Sequence, residues 1–413
     1  MFKALSVRVL IALILGLGAG AWIGAQAPGL LEAAGVVESF GSLWLNALRM
    51  TVIPLVVSLL IVGIASVADA ARTGRLAARA VFVFAVLIVS AALYGAGAAW
   101  GIFQLWPVDR EAAQALASGA TGGPAEARPL DFNAFLAALA PANVVRAAAE
   151  DSVLALVVFS IFFGFAATRV AEHLRVPLVG FFTAVSETML VIVRWILIAA
   201  PAGVFALSIG VGLRGGLGAA GVLAHYVIAV SLITFGITLI AFLVAVTWGR
   251  QQIGRMAQAS TPVWAVAFAT QSSLASLPAM LEAARSGLGV RERVADVVLP
   301  MAVAIFRITS PVANLGVAFF IAHVMGIEPS ALNVAAAIFT AIAVSIASVG
   351  LPGQVSFFVS MAPICLALGV PVELLGVLLA VEVVPDIFRT LGNVTGDLTA
   401  ASVVNRSASA RED

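Results

Sequence analysis

Charge is what this chain has least of. Asp, Glu, Lys and Arg make up 10% of its 413 residues, against about 25% in soluble domains. So few charges cannot cover a water-facing surface of this size, which excludes a soluble enzyme and a disordered scaffold. A net charge of +1 gives no basic face for a nucleic acid and no sign of a polyanionic partner. Cysteine is nearly absent. Cys365 stands alone inside an apolar run, so the chain has no internal disulfide and no thiolate metal spacing. The only histidines are His173, His225 and His323. The first and last fall at the ends of apolar runs, which suits interfacial packing better than general-base work.

What the chain has is apolar length. It is 62% hydrophobic, with a mean hydropathy of +1.12, and it reads as an all-α polytopic membrane protein. Runs long enough to span a bilayer, about 20 residues each, fall at 8–26, 40–65, 80–104, 152–170, 177–212, 217–247, 294–325 and 372–401. The first follows Lys3 and Arg8 like a signal peptide. Its length and the close approach of the next run make it a retained helix.

Two further segments, 256–287 and 332–369, are interrupted by small and polar residues: QSSLASLP (Gln271 to Pro278) and SIASVGLPGQVS (Ser345 to Ser356). Such backbone survives in a membrane only where protein buries it or water reaches it. Paired interruptions flanking one span point to a transporter's binding site. Both are expected to be re-entrant hairpins, giving eight transmembrane helices plus two hairpins.

The basic residues test the topology. Arg72, Arg75, Arg79, Arg169, Arg175, Arg250, Arg255, Arg285, Arg291, Arg293, Arg406 and Arg411 fall on one side, with Arg214 an exception. The 105–151 connection carries six acids against three arginines. The positive-inside rule makes the basic side cytoplasmic, with both termini there. The first hairpin then enters from the cytoplasm and the second from outside, an inverted symmetry suited to alternating access.

The last span holds the most chemistry. Glu382, Asp386, Arg389, Asn393 and Asp397 lie at offsets of 0, 4, 7, 11 and 15. On a helix these map to one arc of about 80°. A mid-membrane charge costs on the order of 3 kcal/mol, so this face belongs inside the bundle and defaults to function. The bland reading is a salt-bridge network in which Arg389 pairs with Asp386. The functional reading gives Arg389 a ligand carboxylate and Asp386 an ammonium group. Ser272, Ser273 and backbone N–H groups at the first hairpin's tip would take a second carboxylate. Asp397 is a hard-oxygen ligand for a small cation, and Glu382 a carboxylate able to carry a proton. An acidic amino acid with a coupling ion, Na+ or H+, satisfies the set. An intramembrane aspartyl protease does not, because Asp386 and Asp397 lie roughly 16 Å apart along one helix.

NVTGDLT preceded by D-x-x-R-T, the serine-rich hairpin ending in Leu-Pro, GLPG in the second hairpin, LRMTVIPLVVSLLIVGIAS and APAGVFAL together resemble the dicarboxylate/amino acid:cation symporter family, the glutamate transporter homologues. The resemblance covers nearly the whole chain. It implies a homotrimer in the cell inner membrane working as an elevator. Residues 1–75 and 151–215 would be scaffold and trimerisation helices. Residues 76–150 would supply transport-domain helix 3 and an external loop, and 216–413 the rest of the transport domain. Carried over by position, Asp386 would bind the amino group and Arg389 the side-chain carboxylate. Thr390, Asn393 and Ser310 would line the pocket, Ser272 and Ser273 would hold the main carboxylate, and Gly350 would belong to the outer gate. Asn393 and Asp397 would serve a sodium ion.

The chain also departs from that pattern. Where the relatives carry Asn-Met-Asp-Gly-Thr in the seventh span, this sequence has Phe306, Arg307, Ile308, Thr309 and Ser310. Three polar positions of the third span fall on Phe84, Leu87 and Ile88. One cation site thus loses its side-chain ligands. Arg307 is either a tethered charge in that ion's place or a bridge to Glu382 or Asp386, or it snorkels. Coupling is expected to be altered: reduced sodium dependence, proton symport or exchange. Glutamate or aspartate is the expected substrate. A C4-dicarboxylate, or ligand binding without net transport, is the alternative.

Overall fold

The computed structural model describes residues 2–121, 132–216, 218–347 and 353–409. Among the described residues there are helices and turns and no strand. In lipid this follows from the backbone, whose N–H and C=O groups a helix pairs within one segment.

The chain opens with α1 (Phe2–Gln26), α2 (Leu31–Arg49), α3 (Val52–Arg72) and α4 (Arg75–Leu105). Then come α5 (Arg110–Thr121), α6 (Phe132–Leu139), α7 (Val144–Ala149), α8 (Val153–Ala167), α9 (Glu172–Ile198), α10 (Ala200–Gly215) and α11 (Gly218–Thr247). The C-terminal part holds α12 (Ile253–Thr270), α13 (Leu277–Glu282), α14 (Glu292–Ile305), α15 (Thr309–Met325), α16 (Ala331–Ala347), α17 (Gly353–Leu368), α18 (Leu375–Leu378) and α19 (Val383–Ser409). Six helical stretches among the described residues are long and apolar enough to cross a membrane: Val7–Gln26, Pro28–Arg72, Arg75–Leu105, Glu172–Ile198, Gly218–Thr247 and Glu292–Met325.

Several boundaries differ from the expected ones. The 177–212 run is two helices, because α9 ends at Ile198 and α10 restarts with Pro201 in its first turn. The 40–65 run is divided at Met50–Thr51 between α2 and α3. The 152–170 run yields a helix of 15 residues, and the 372–401 run is split into the four-residue α18 and α19, which starts at Val383.

The first interrupted segment breaks where expected. α12 stops at Thr270, Gln271 turns left-handed (φ 52°), and α13 begins at Leu277. A π-helical turn at Ala283–Gly287 then packs back on α12. In the second segment α16 packs on α17, and the tip between them, with Gly350, lies outside the described residues.

The helices pack most closely in the pairs α1 with α10, α11 with α19, α4 with α15 and α3 with α8. The α1–α10 seam is made of glycine. A Cβ on Gly20 would strike the Ile209 carbonyl, and one on Gly212 the Leu17 carbonyl. Small residues let backbones touch where lipid supplies no hydrophobic drive. Arg214, the exception to the charge asymmetry, is paired with Glu38.

Candidate functional site

The polar stripe of α19 faces the protein interior. Glu382 lies just before the helix, where its carbonyl accepts from Asp386 N at 2.9 Å. The residue is 5% exposed, and its carboxylate meets two partners: Tyr226 of α11 donates to Oε2, and Arg389 Nε lies 2.8 Å from Oε1. Arg389 Nη1 donates to Asn314 Oδ1 at 2.9 Å, and Asn314 Nδ2 reaches Ser310 Oγ at 3.5 Å. Nη2 is buried without a partner among the described residues. The arginine therefore does not pair with Asp386, as the bland sequence reading had it. Nor does it present a bare two-pronged edge to a ligand. One buried N–H edge remains open.

Asp386 is half-buried, and its carboxylate makes no hydrogen bond or ion pair among the described residues. It is thus able to receive a cationic group. Thr390 is buried, and its hydroxyl donates to the Asp386 carbonyl at 3.0 Å. Asn393 ties two elements together. Its Oδ1 accepts from Thr309 N at 3.1 Å and lies 2.9 Å from Thr309 Oγ1. Since α14 ends at Ile305 and α15 begins at Thr309, this contact pins the broken seventh span to α19. Gly392 allows the approach, because a side chain there would run into Thr309. Asp397 is 1% exposed, with both carboxylate oxygens buried and unpartnered among the described residues.

The first hairpin's serines sit at its tip. Ser272 and Ser273 are half-buried, and Ser272 Oγ accepts from Ala275 N at 3.3 Å. Neither hydroxyl hydrogen-bonds the α19 stripe among the described residues. The hairpin reaches that helix through Trp264, whose Nε1 donates to Thr395 Oγ1 at 2.9 Å. Ser310 is buried beside Asn314. Arg307 stands in the three-residue break of the seventh span. It makes no hydrogen bond or ion pair with its side chain among the described residues, so the bridge to Glu382 or Asp386 is not formed. Its chain neighbours Phe306 and Ile308 face Gly396 of α19, the residue before Asp397.

Sequence reasoning missed Asn314 and Tyr226. Both are polar side chains in largely apolar helices, Asn314 near Ser310 and Tyr226 beside His225, and a polar group at membrane depth was the signal available.

The family profile of the sodium:dicarboxylate symporters matches residues 5–407. The chain belongs to this family. Among similar proteins, the proton/glutamate-aspartate symporter of Escherichia coli (strain K12) is 27% identical over 417 residues, covering 97% of this chain and 92% of the relative. The proton/sodium-glutamate symport protein of Bacillus subtilis (strain 168) is 28% identical, with 97% and 92% covered. The human neutral amino acid transporter B(0) is 30% identical over 438 residues, with 96% and 78% covered. Membership makes this chain a multi-pass membrane transporter and not an enzyme. Sodium or proton coupling fits the named relatives.

Proposed function

We propose that the protein carries an acidic amino acid, glutamate or aspartate, across the cell inner membrane. It would do so as a homotrimer moving its substrate by an elevator displacement. Both termini would face the cytoplasm, as the arginine asymmetry suggests. The observation that carries the substrate reading is the pairing of functions on α19. Asp386 offers an unengaged carboxylate three residues before Arg389, whose Nη2 is buried and unengaged. A ligand with ammonium and carboxylate groups satisfies both. A neutral side chain would leave the guanidinium edge without a partner, at a desolvation cost of about 1–3 kcal/mol. The two-body division draws support from packing, with α1 on α10 and α3 on α8 in one group, and α11 on α19 and α4 on α15 in the other.

One feature favours a second substrate class. Arg307, in the break of the seventh span, makes no side-chain ion pair among the described residues, and so offers a second cation for a C4-dicarboxylate without an amino group.

Uptake of labelled L-aspartate, L-glutamate and succinate into proteoliposomes tests both, with an inward sodium gradient, an inward proton gradient, and neither. Accumulation of an amino acid supports the first reading, and accumulation of succinate alone the second. Absence of flux for all three, with ligand binding retained, would identify a binding protein without net transport.

A further inference from the structure

The space between the break of the seventh span, α4 and α19 is hydrocarbon. Phe84 and Phe306 stack there with ring centroids 4.8 Å apart and planes 12° from parallel, and both are buried. Leu87, Ile88 and Ile308 are also buried. A Cβ on Gly396 of α19 would stand 2.6 Å from Ile308 Cγ2 and 3.5 Å from Phe306 Cε1. The last helix thus lies directly on this apolar filling. A sodium ion needs several oxygen ligands in place of its water, and these five side chains offer none. The residues present do not fit a cation at that place.

The neighbouring charges nevertheless call for one. Asp397 follows Gly396 directly and is unpartnered at both oxygens among the described residues. Burying a carboxylate without compensation is among the costliest arrangements in a protein interior. Glu382 and Arg389 satisfy each other, with Tyr226 completing the pair. Setting them aside leaves Asp386, Asp397 and Arg307. Arg307 stands between Phe306 and Ile308, the two residues that meet Gly396, so its guanidinium is tethered beside Asp397, with Asp386 on the same stripe about three turns away. It sits on unwound backbone whose downstream end is fixed by the Thr309–Asn393 contacts. That anchor holds the backbone of the break, and with it the root of the Arg307 side chain, against α19.

We propose that Arg307 is a tethered counter-ion: a guanidinium carried by the chain that balances Asp397 and Asp386 and takes the electrostatic part of a mobile cation at the seventh-span break. The charge that stabilises the substrate-binding form is then permanent. It does not depend on the salt outside, and it travels with the substrate site in both directions of the cycle. This deepens the carrier reading above, on which its substrate arm rests. Its first test needs no substrate.

That test is a thermal double-mutant cycle on the purified full chain, comparing wild type, Arg307→Gln, Asp397→Asn and the double variant. Each single change leaves a buried charge without its partner and is expected to lower the melting midpoint by at least about 2 °C. The double variant should melt no lower than the worse single. Additive losses overturn the proposal. If Arg307→Gln alone does not fold, a folded double variant supports the pairing and an unfolded one overturns it.

The second test measures binding of L-aspartate and L-glutamate in sodium chloride and in choline chloride at equal ionic strength. Wild-type affinity should be the same in both salts. Arg307→Gln should bind about ten-fold more weakly in either, while Arg307→Lys keeps the charge and stays within about three-fold. An affinity of the Gln variant equal to wild type, or its full recovery in sodium, overturns the proposal. Failure of both amino acids to bind the wild type would defeat the substrate reading, with the thermal cycle still deciding on Arg307.

Discussion

Arg389 turns its Nε toward Glu382, 2.8 Å away, and gives an Nη1 hydrogen bond to Asn314, 2.9 Å away. One cation is therefore held from two directions, by α11-bound Glu382 behind it and by α15 beside it. Its remaining edge is aimed by these partners, so ligand recognition depends on residues that need not touch the ligand.

Glu382→Gln is expected to destabilise the protein by about 3–5 kcal/mol, since it leaves a nearly buried guanidinium without its counter-charge. Tyr226→Phe removes one hydrogen bond from the same carboxylate and should cost about 1 kcal/mol. Thermal unfolding of both variants checks the ranking. Equal losses would mean that the ion pair is no more than another hydrogen bond.

Asn314→Asp places a second carboxylate against Arg389. The new ion pair competes with the ligand's carboxylate, so KM for an acidic substrate should rise about ten-fold with little change in thermal stability. Concentration-dependent uptake reads the effect, and an unaltered KM would detach Asn314 from the site.

Gly20→Ala pushes a methyl group into the backbone of α10 and should cost about 1–3 kcal/mol. Gly18, two residues earlier on the same helix, has nothing within 4 Å of the corresponding position. Gly18→Ala should be neutral, or stabilising by up to about 1 kcal/mol through helix propensity. Melting midpoints of the two variants should therefore move apart.

Trp264→Phe removes the hydrogen bond that ties α12 to Thr395 of α19. A loss of about 1 kcal/mol is expected, with faster amide hydrogen exchange in α12 and none of that change in α1. Unchanged exchange in the hairpin would show that packing alone holds it.

The stripe on α19 was legible because charge inside a membrane is expensive enough that four ionisable residues and an amide in one arc cannot be accidental. The first hairpin's tip was legible for the same reason, applied to serine and proline. Asn314 and Tyr226 were not, although they complete the arginine's surroundings. Asn314 meets Arg389 from 75 residues away along the chain and Tyr226 meets Glu382 from 156, and periodicity within one helix says nothing of which helix will be its neighbour. The break at Ala199 was hidden as well. Apolar residues run through it without interruption, and a proline in the first turn of α10 is compatible with a continuing helix as much as with a new start. The aromatic filling at Phe84 and Phe306 was readable as a loss of polar groups, but its stacked geometry belongs to the fold alone.

Where α1 meets α10, carbonyl groups replace side chains at the contact. Side chains can change rotamer to absorb a small displacement, and a peptide group cannot. The two helices consequently behave as one strut with no internal play. Sideways pressure from the bilayer on α1 reaches α10 undiminished, and any sliding in this molecule has to take place somewhere other than at that seam.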